Sequence, residues 1–351
     1  MQPAFQLLNS PIFLGPLAET FPLWLEKQHY SQIFVLADEN TRRHCLPYFL
    51  EKTGLSEKVI LTEIHSGEAE KNLATCEKIW QSMFASKIDR KALVVNLGGG
   101  VIGDMGGFCA ATWKRGVDFV HVPTTLLSMT DAAIGGKTGI DFQGIKNVIG
   151  VFQQPAAVFV DPLFLQTLPD RELRSGYAEV IKHVLISDRR LSEGLTSSEA
   201  LSKLNWLDIL EKSIAVKVRV VQEDPLEKGL RMLLNFGHSI GHALESWFLE
   251  SDAPLTHGEA IYIGMICESG FVQNGRKLQD EVLALGANIY PPKNIDPVII
   301  PRIWELMLQD KKNSSGTVRM AVPDETPYSL KIIEPTQEEV ERSLVFYNAL
   351  A

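Results

Sequence analysis

The stretch from Arg231 to Trp247, RMLLNFGHSIGHALESW, concentrates side chains that bond in fixed directions. Read as one helix at about 100° per residue, Arg231, Asn235, His238, His242 and Glu245 fall within roughly 80° of one another. Met232, Leu233, Phe236, Ile240, Ala243 and Leu244 cover the opposite side. The wet face of an ordinary surface helix is made of interchangeable Lys and Glu. This one holds a guanidinium, a carboxamide and two imidazoles, whose hydrogen-bond geometry is specific. Imidazoles four residues apart are a metal-ligand spacing, and His257 in LTHGE is a third candidate. The stripe predicts a reactive cleft.

Glu179, Lys182 and His183 lie in SGYAEVIKH, a segment made mostly apolar by Val180, Ile181, Val184 and Leu185. Polar groups there need partners. A structural ion pair between Glu179 and Lys182 would satisfy that need. Alternatively, Glu179 completes a set with two histidines, and Glu/His/His with an open position is a catalytic zinc pattern. Glu179 and His183 are also four apart, so spacing leaves both sets open. Lys217 and Arg219 add further cations, with solvation as the plain alternative.

Gly98-Gly99-Gly100-Val101-Ile102-Gly103 satisfies G-x-G-x-x-G between a strand and a helix. Glycines there let a pyrophosphate approach the amides at a helix N-terminus. An ordinary dinucleotide fingerprint belongs to the first strand, whereas this one lies near residue 100, and a tight packing turn would read the same way. Glu68-Ala69-Glu70-Lys71, in the loop after a strand, could add ribose contacts. Between Lys114 and Asn147, the groups KRG, PTT, Asp131, GGKT and Lys146-Asn147 bring cations and hydroxyls together around glycines. An anion such as a phosphate or carboxylate explains that arrangement better than solubility does.

These residues need a scaffold, and the first half of the chain supplies strand–helix alternation. Apolar runs at 33–37, 58–64, 92–97, 118–123 and 156–160 read as buried strands. Helical segments run through Leu46 to Leu50 and from Asn72 to Phe84. Such runs predict a mostly parallel sheet covered on both faces. From Arg171 onward the periodicity turns helical: 171–187, 205–223, 230–248, 258–274 and 301–310. A final helix opens with the capping-box pattern Thr336-Gln337-Glu338-Glu339, and only 317–322 and 328–333 alternate like a small hairpin. A domain boundary is expected near residues 165–170.

The length suits two domains, and 45% hydrophobic residues provide for two cores. A net charge of -9 argues against a nucleic-acid or anionic-membrane surface. Cys45, Cys76, Cys109 and Cys267 form no C-x-x-C pair and fit a reducing compartment. No signal-peptide pattern or membrane-length apolar run is present, so a cytoplasmic protein is expected.

Together these stretches resemble the 3-dehydroquinate synthase family from Asp38 to Asp310-Lys311-Lys312. The most specific pieces are GGGVIGD, KRG, VPTTLLSMTDAAIGGKTGID, KNVIG, LRSGYAEVIKH, RMLLNFGHSIGHALE and LTHGEA. The resemblance implies a Rossmann-like α/β NAD-binding domain over 1–168 and a mainly helical metal- and substrate-binding domain over 169–351. By the same resemblance Glu179, His238 and His257 hold a divalent metal, zinc first and cobalt second. His242, despite its spacing from His238, faces substrate. NAD contacts would come from Asp38, Asn40, Glu68, Lys71, Gly99, Gly100, Asp104, Thr124, Thr125, Lys146, Phe164, Thr167 and Leu168. Substrate contacts would come from Arg115, Asp131, Lys137, Asn147, Lys182, Lys217, Arg231, Asn235, His242 and one of Lys311 and Lys312, with Lys311 favoured. Asp141 departs from the Asn that family members often carry.

The implied substrate is 3-deoxy-D-arabino-heptulosonate 7-phosphate, in the shikimate route to aromatic amino acids. The implied reaction is transient oxidation by NAD, β-elimination of phosphate, re-reduction, ring opening and aldol closure to 3-dehydroquinate. The only partner expected is that small molecule, with a homodimer implied by the family. Three rival readings remain: a metal-dependent polyol or alcohol dehydrogenase, a sister sugar-phosphate cyclase, and a nucleotide-binding sensor or scaffold that keeps a vestigial cleft without catalysis. The dehydrogenase does not need the Arg115, Lys137, Lys217 and Arg231 anion set, and Asn235 with His242 favours a carboxylate-bearing substrate over the sister cyclase's.

Overall fold

The computed structural model describes residues 2–55, 59–143, 145–192, 195, 201–249, 251–309 and 317–350. The chain divides into two compact units, Met1–Pro169 with Asn205–Val218, and Asp170–Leu204 with Arg219–Ala351.

The first unit contains β1 (Phe5–Leu7), β2 (Ser10–Leu14), β3 (Ile33–Asp38), β4 (Val59–Ile64), β5 (Leu93–Gly98), β6 (Asp118–Pro123), the pair β7 (Lys137–Phe142) and β8 (Ile145–Phe152), and β9 (Ala157–Val160). Its helices are α1 (Leu17–Leu25), α2 (Glu39–His44), α3 (Leu46–Thr53), α4 (Leu73–Ala85) and α5 (Gly100–Thr112). Seven described strands form one sheet in the order β1-β2-β9-β6-β5-β3-β4. Every neighbouring pair is parallel except β1–β2. Phe34, Leu36, Val94, Ile79, Met83, Met105 and Phe119 are buried against one another on and beside this sheet. The five strands expected from apolar runs are all present. β1, β2 and the β7–β8 hairpin were not expected. The hairpin hides from a burial pattern because Phe142, Ile145, Val148, Val151 and Phe152 are exposed apolar residues.

Local chemistry sets where these elements stop. Asp38 ends β3 and caps α2, its carboxylate accepting from the Thr41 amide at 2.7 Å while the Thr41 hydroxyl accepts from the Asp38 amide at 2.9 Å. Asn72 caps α4 through the Thr75 amide at 3.0 Å. From β3 the chain steps outward to β4, then returns to the other side of β3 as β5. The carboxyl ends of β3 and β5 therefore flank a topological switch point, where open α/β sheets bind ligands.

The second unit carries α6 (Asp170–Ile186), the end of α7 (Trp206–Glu223), α8 (His238–Phe248), α9 (His257–Ser269), α10 (Gly275–Gly286), α11 (Ile300–Gln309) and α12 (Gln337–Asn348), with the antiparallel hairpin β10 (Met320–Pro323) and β11 (Leu330–Ile333). The helix expected over 230–248 is corrected by the structure. Leu230–Asn235 is a 3₁₀ turn, Phe236 leaves the helical region at ψ 129°, and Gly237 sits at φ 80° before α8 begins. A Cβ on Gly237 would lie 2.6 Å from Met265 Cγ and 2.8 Å from the Ile261 carbonyl oxygen. The single polar stripe is thus two short segments whose helical phases are unrelated.

Candidate active site

Three helices of the second unit bring Glu179, His238 and His257 together. Glu179 is fully buried at mid-length on α6. His238 opens α8, where the buried Glu268 carboxylate of α9 accepts the Gly237 and Ile240 amides at 2.8 and 2.9 Å. His257 opens α9, fixed by a capping box in which Thr256 and Glu259 each accept the other's backbone amide. The Nε2 atoms of His238 and His257 lie 3.7 and 3.6 Å from Glu179 Oε1. One ligand atom from each of the three lies within 4.8 Å of the others. Those separations are too long for hydrogen bonds, and they approach the edge of about 3.3 Å that a tetrahedron with bonds of about 2.0–2.1 Å requires.

The far side of each imidazole is also engaged. His238 Nδ1 is 3.1 Å from the Phe236 carbonyl, and His257 Nδ1 is 3.3 Å from Glu245 Oε2. Burial opposes protonation of His257, but Glu245 and Glu179 outweigh it and lift its pKa to about 9. His242 packs with its ring 4.9 Å from that of His238 and 5.9 Å from that of His257. Lys182, also fully buried, pairs with Glu179 and donates to the Leu234 carbonyl at 2.7 Å. Arg231 is buried and donates to the Pro225 carbonyl at 2.7 Å, and Asn235 donates to Glu227 Oε1 at 2.6 Å. Lys311 and Lys312 lie outside the described residues.

In the first unit, most of the expected cofactor residues stand just beyond the carboxyl ends of parallel strands. Asp38 closes β3 and Asn40 follows it, Glu68 and Lys71 follow β4, Gly99 and Gly100 follow β5, Thr124 and Thr125 follow β6, and Phe164, Thr167 and Leu168 follow β9. The Thr124 amide donates to the Gly98 carbonyl at 3.0 Å, tying two of these ends together. Lys71 is buried and binds Asp104 Oδ2 at 2.6 Å. Lys146 lies 3.7 Å from Glu68. Burial alone would lower the Lys71 pKa, yet Asp104 and Glu68 drive it above the ordinary lysine range. Burial pushes Asp104 above the usual carboxylate range against the pull of Lys71.

The expected substrate residues of this unit form smaller groups. Lys217 binds Asp131 at 2.5 Å, and Asn147, at φ 53°, accepts from Lys71 while its amide donates to Asp141 at 2.7 Å. Asp141 is therefore a partner of two expected site residues, since its own amide donates to the Lys71 carbonyl at 2.8 Å. Arg115 is exposed and follows Lys114 in the left-handed region, the two at φ 70° and 50°. Lys137 opens β7, opposite Phe152 of β8. Sequence reasoning missed two carboxylates, Glu268 on the α8 turn and Glu227 against Asn235, and it named Glu245 without its contact to His257. Glu268 left one signal, an acid directly after the apolar run Ile261 to Cys267 on the same helix, which requires buried partners.

A mostly parallel sheet followed by a helical bundle with these features is the architecture of the sugar-phosphate cyclases. The solved 2-epi-5-epi-valiolone synthase of Streptomyces hygroscopicus subsp. jinggangensis, with NAD+ and Zn2+ bound, is similar at a TM-score of 0.85 and 25% identity over 99% of both chains. A solved structure from Sinorhizobium meliloti, described as a probable glycerol dehydrogenase, shares the fold alone, at a TM-score of 0.65 and 17% identity over 96% of this chain and 95% of that one. Within this class the chain belongs to the 3-dehydroquinate synthase family, whose N-terminal and C-terminal family models match residues 61–175 and 176–313. A 3-dehydroquinate synthase of Parabacteroides distasonis is 38% identical over 333 residues, 92% of this chain and 93% of the relative. One from Rippkaea orientalis is 43% identical over 288 residues, 78% and 77% of the two chains.

Proposed function

We propose that this chain converts 3-deoxy-D-arabino-heptulosonate 7-phosphate to 3-dehydroquinate and phosphate, using NAD and a divalent ion, zinc first. The observation that carries the reading is identity of 38% across 92% of the chain with a relative bearing that name. The donor chemistry fits the metal: one carboxylate and two imidazoles whose Nδ1 atoms are already engaged, leaving both Nε2 atoms toward the same oxygen. The strand ends carrying Asp38, Gly99, Gly100, Thr124 and Thr125 fit a dinucleotide, because backbone amides and a helix N-terminus there favour pyrophosphate. When bound, the nicotinamide exchanges hydride with the substrate alcohol and the ion polarises that oxygen.

The protein's own side chains then divide the remaining work. Lys182, held by the Leu234 carbonyl beside Glu179, supplies a positive charge for oxyanion development. His242 is the candidate for proton transfer. Arg231 and Asn235 are assigned to the carboxylate end, and Arg115, Lys137 and Asn147 to the phosphate end, where the departing phosphate can take the neighbouring proton. Lys217 and Asp131 form a fixed pair suited to orienting hydroxyls. The proposed domain limits are 1–168 for NAD binding and 169–351 for metal and substrate. Family membership supports a cytoplasmic homodimer acting on a free small molecule.

The deciding experiment supplies the heptulosonate phosphate with a sub-stoichiometric amount of NAD. Phosphate release far exceeding the NAD present, with no net NADH absorbance, is the expected result. Stoichiometric NADH accumulation without phosphate would instead establish a dehydrogenase.

A further inference from the structure

The metal reading above leaves one carboxylate without a role. Glu245 of α8 is nine-tenths buried, a position where a charge is costly unless it is paired. It faces His257 Nδ1 at 3.3 Å, while Nε2 of the same ring is 3.6 Å from Glu179. A carboxylate can only accept, so this contact requires Nδ1 to carry a proton, and in the neutral ring that a metal needs the lone pair is then on Nε2. His238 is oriented in the same sense by the Phe236 carbonyl, a neutral group. One imidazole is thus backed by a charge and the other by a dipole.

We infer that Glu245 is a positioning residue for the ion: it fixes the tautomer and ring direction of His257 and makes its Nε2 a stronger donor. The inference rests on the proposed Glu179, His238 and His257 set. One competing geometry exists on the same side chains, because Glu245, His242 and His257 also offer ligand atoms within 4.8 Å of one another. In that arrangement Glu245 would be a ligand itself.

The test measures Zn2+ affinity by chelator competition, and the Co2+ ligand-field spectrum, on metal-stripped full-length protein. Glu245→Gln and Glu245→Ala should each bind one ion about 10- to 100-fold more weakly than the parent, the usual cost of losing a partner behind a ligating histidine. Their Co2+ bands should keep the parent's position and intensity, since no ligand has been removed. Glu245→Asp, which keeps the charge, should bind more tightly than Glu245→Gln. Unchanged affinity in both the Gln and Ala variants overturns the inference, and so does a Co2+ spectrum showing one ligand fewer. Glu179→Ala separates the two levels of the argument. If it retains the ion at parental affinity, the metal set itself is wrong. If it loses the ion while the Glu245 variants keep theirs, only the positioning role falls.

Discussion

His257 shows how far a single residue could be read. Its motif marks it as a candidate donor, but its partners sit on α6 and α8, far away in sequence. The eye-catching pair His238 and His242, four apart on α8, does bring its rings to 4.9 Å. Even so, the buried carboxylate oxygen is faced by His238 and His257, a selection made by tertiary packing that local spacing does not encode. If three donors hold the ion, deleting one leaves two and an open position. His257→Ala should therefore abolish turnover and lower the metal content of the purified protein to background, measured by elemental analysis. Its unfolding should remain cooperative, because the ring is partly exposed and its removal opens no sealed core. Full activity in a metal-free His257→Ala protein would remove the ion from the mechanism. Asp141 was less legible: it stands outside the expected site residues, and it bonds the backbone of Asn147 and of Lys71.

At the scale of elements, the sheet was legible because buried parallel strands are apolar runs, and the 230–248 helix was misread for a related reason. Its apolar positions continue smoothly through Phe236 and Gly237, so periodicity shows no break. The break is imposed from α9, where Glu268 takes the Gly237 and Ile240 amides and Ile261 and Met265 crowd the turn. Gly237→Ala should then combine left-handed strain of about 1–2 kcal/mol with overpacking of about 1–3 kcal/mol, because two of the nearest atoms are backbone. A drop in unfolding free energy of that size, read from a lowered denaturant midpoint at unchanged m-value, is expected together with loss of metal binding; a midpoint equal to the parent's would refute the strained turn. A second element-level device lies between β5 and β6, where Asn96 and His121 are register partners, their side chains 3.4 Å apart, and His121 is buried. Burial pulls its pKa down from 6.5 to about 4. The unfolded chain therefore binds this proton more readily than the folded one, and stability rises with pH between those values. The contribution is complete above about pH 6.5 and is lost as pH falls toward 4, by up to about 3 kcal/mol. Comparing unfolding free energies over pH 4–7, His121→Gln should show a shallower slope than the parent. Identical slopes would mean that His121 already takes up its proton in the fold.

For the whole molecule, the two compact units divide the proposed ligands between them. Every expected NAD residue belongs to Met1–Pro169, and Glu179, His238 and His257 all belong to the unit containing Asp170–Leu204 and Arg219–Ala351. A change from strand–helix alternation to continuous helical periodicity near residues 165–170 was legible from sequence. The grouping of 205–218 with the first unit was not, since a helix looks the same in sequence whichever core it joins. The consequence is that binding of the two ligands should be separable. Glu179→Ala should lose the ion and still bind NAD with an affinity within about threefold of the parent, as expected for sites that share no ligating group. Lys71→Met removes the ammonium that Asp104, Glu68 and Asn147 surround, so it should weaken NAD while leaving Zn2+ affinity intact. Calorimetric titration of both variants with both ligands gives the four affinities required. The parent should also gain about 2.7 kcal/mol of unfolding free energy at NAD concentrations a hundredfold above its dissociation constant, and Glu179→Ala should gain the same amount. Loss of NAD binding in Glu179→Ala would show that the ion is needed to form the cofactor site, and the two units could then no longer be treated as independent binding modules.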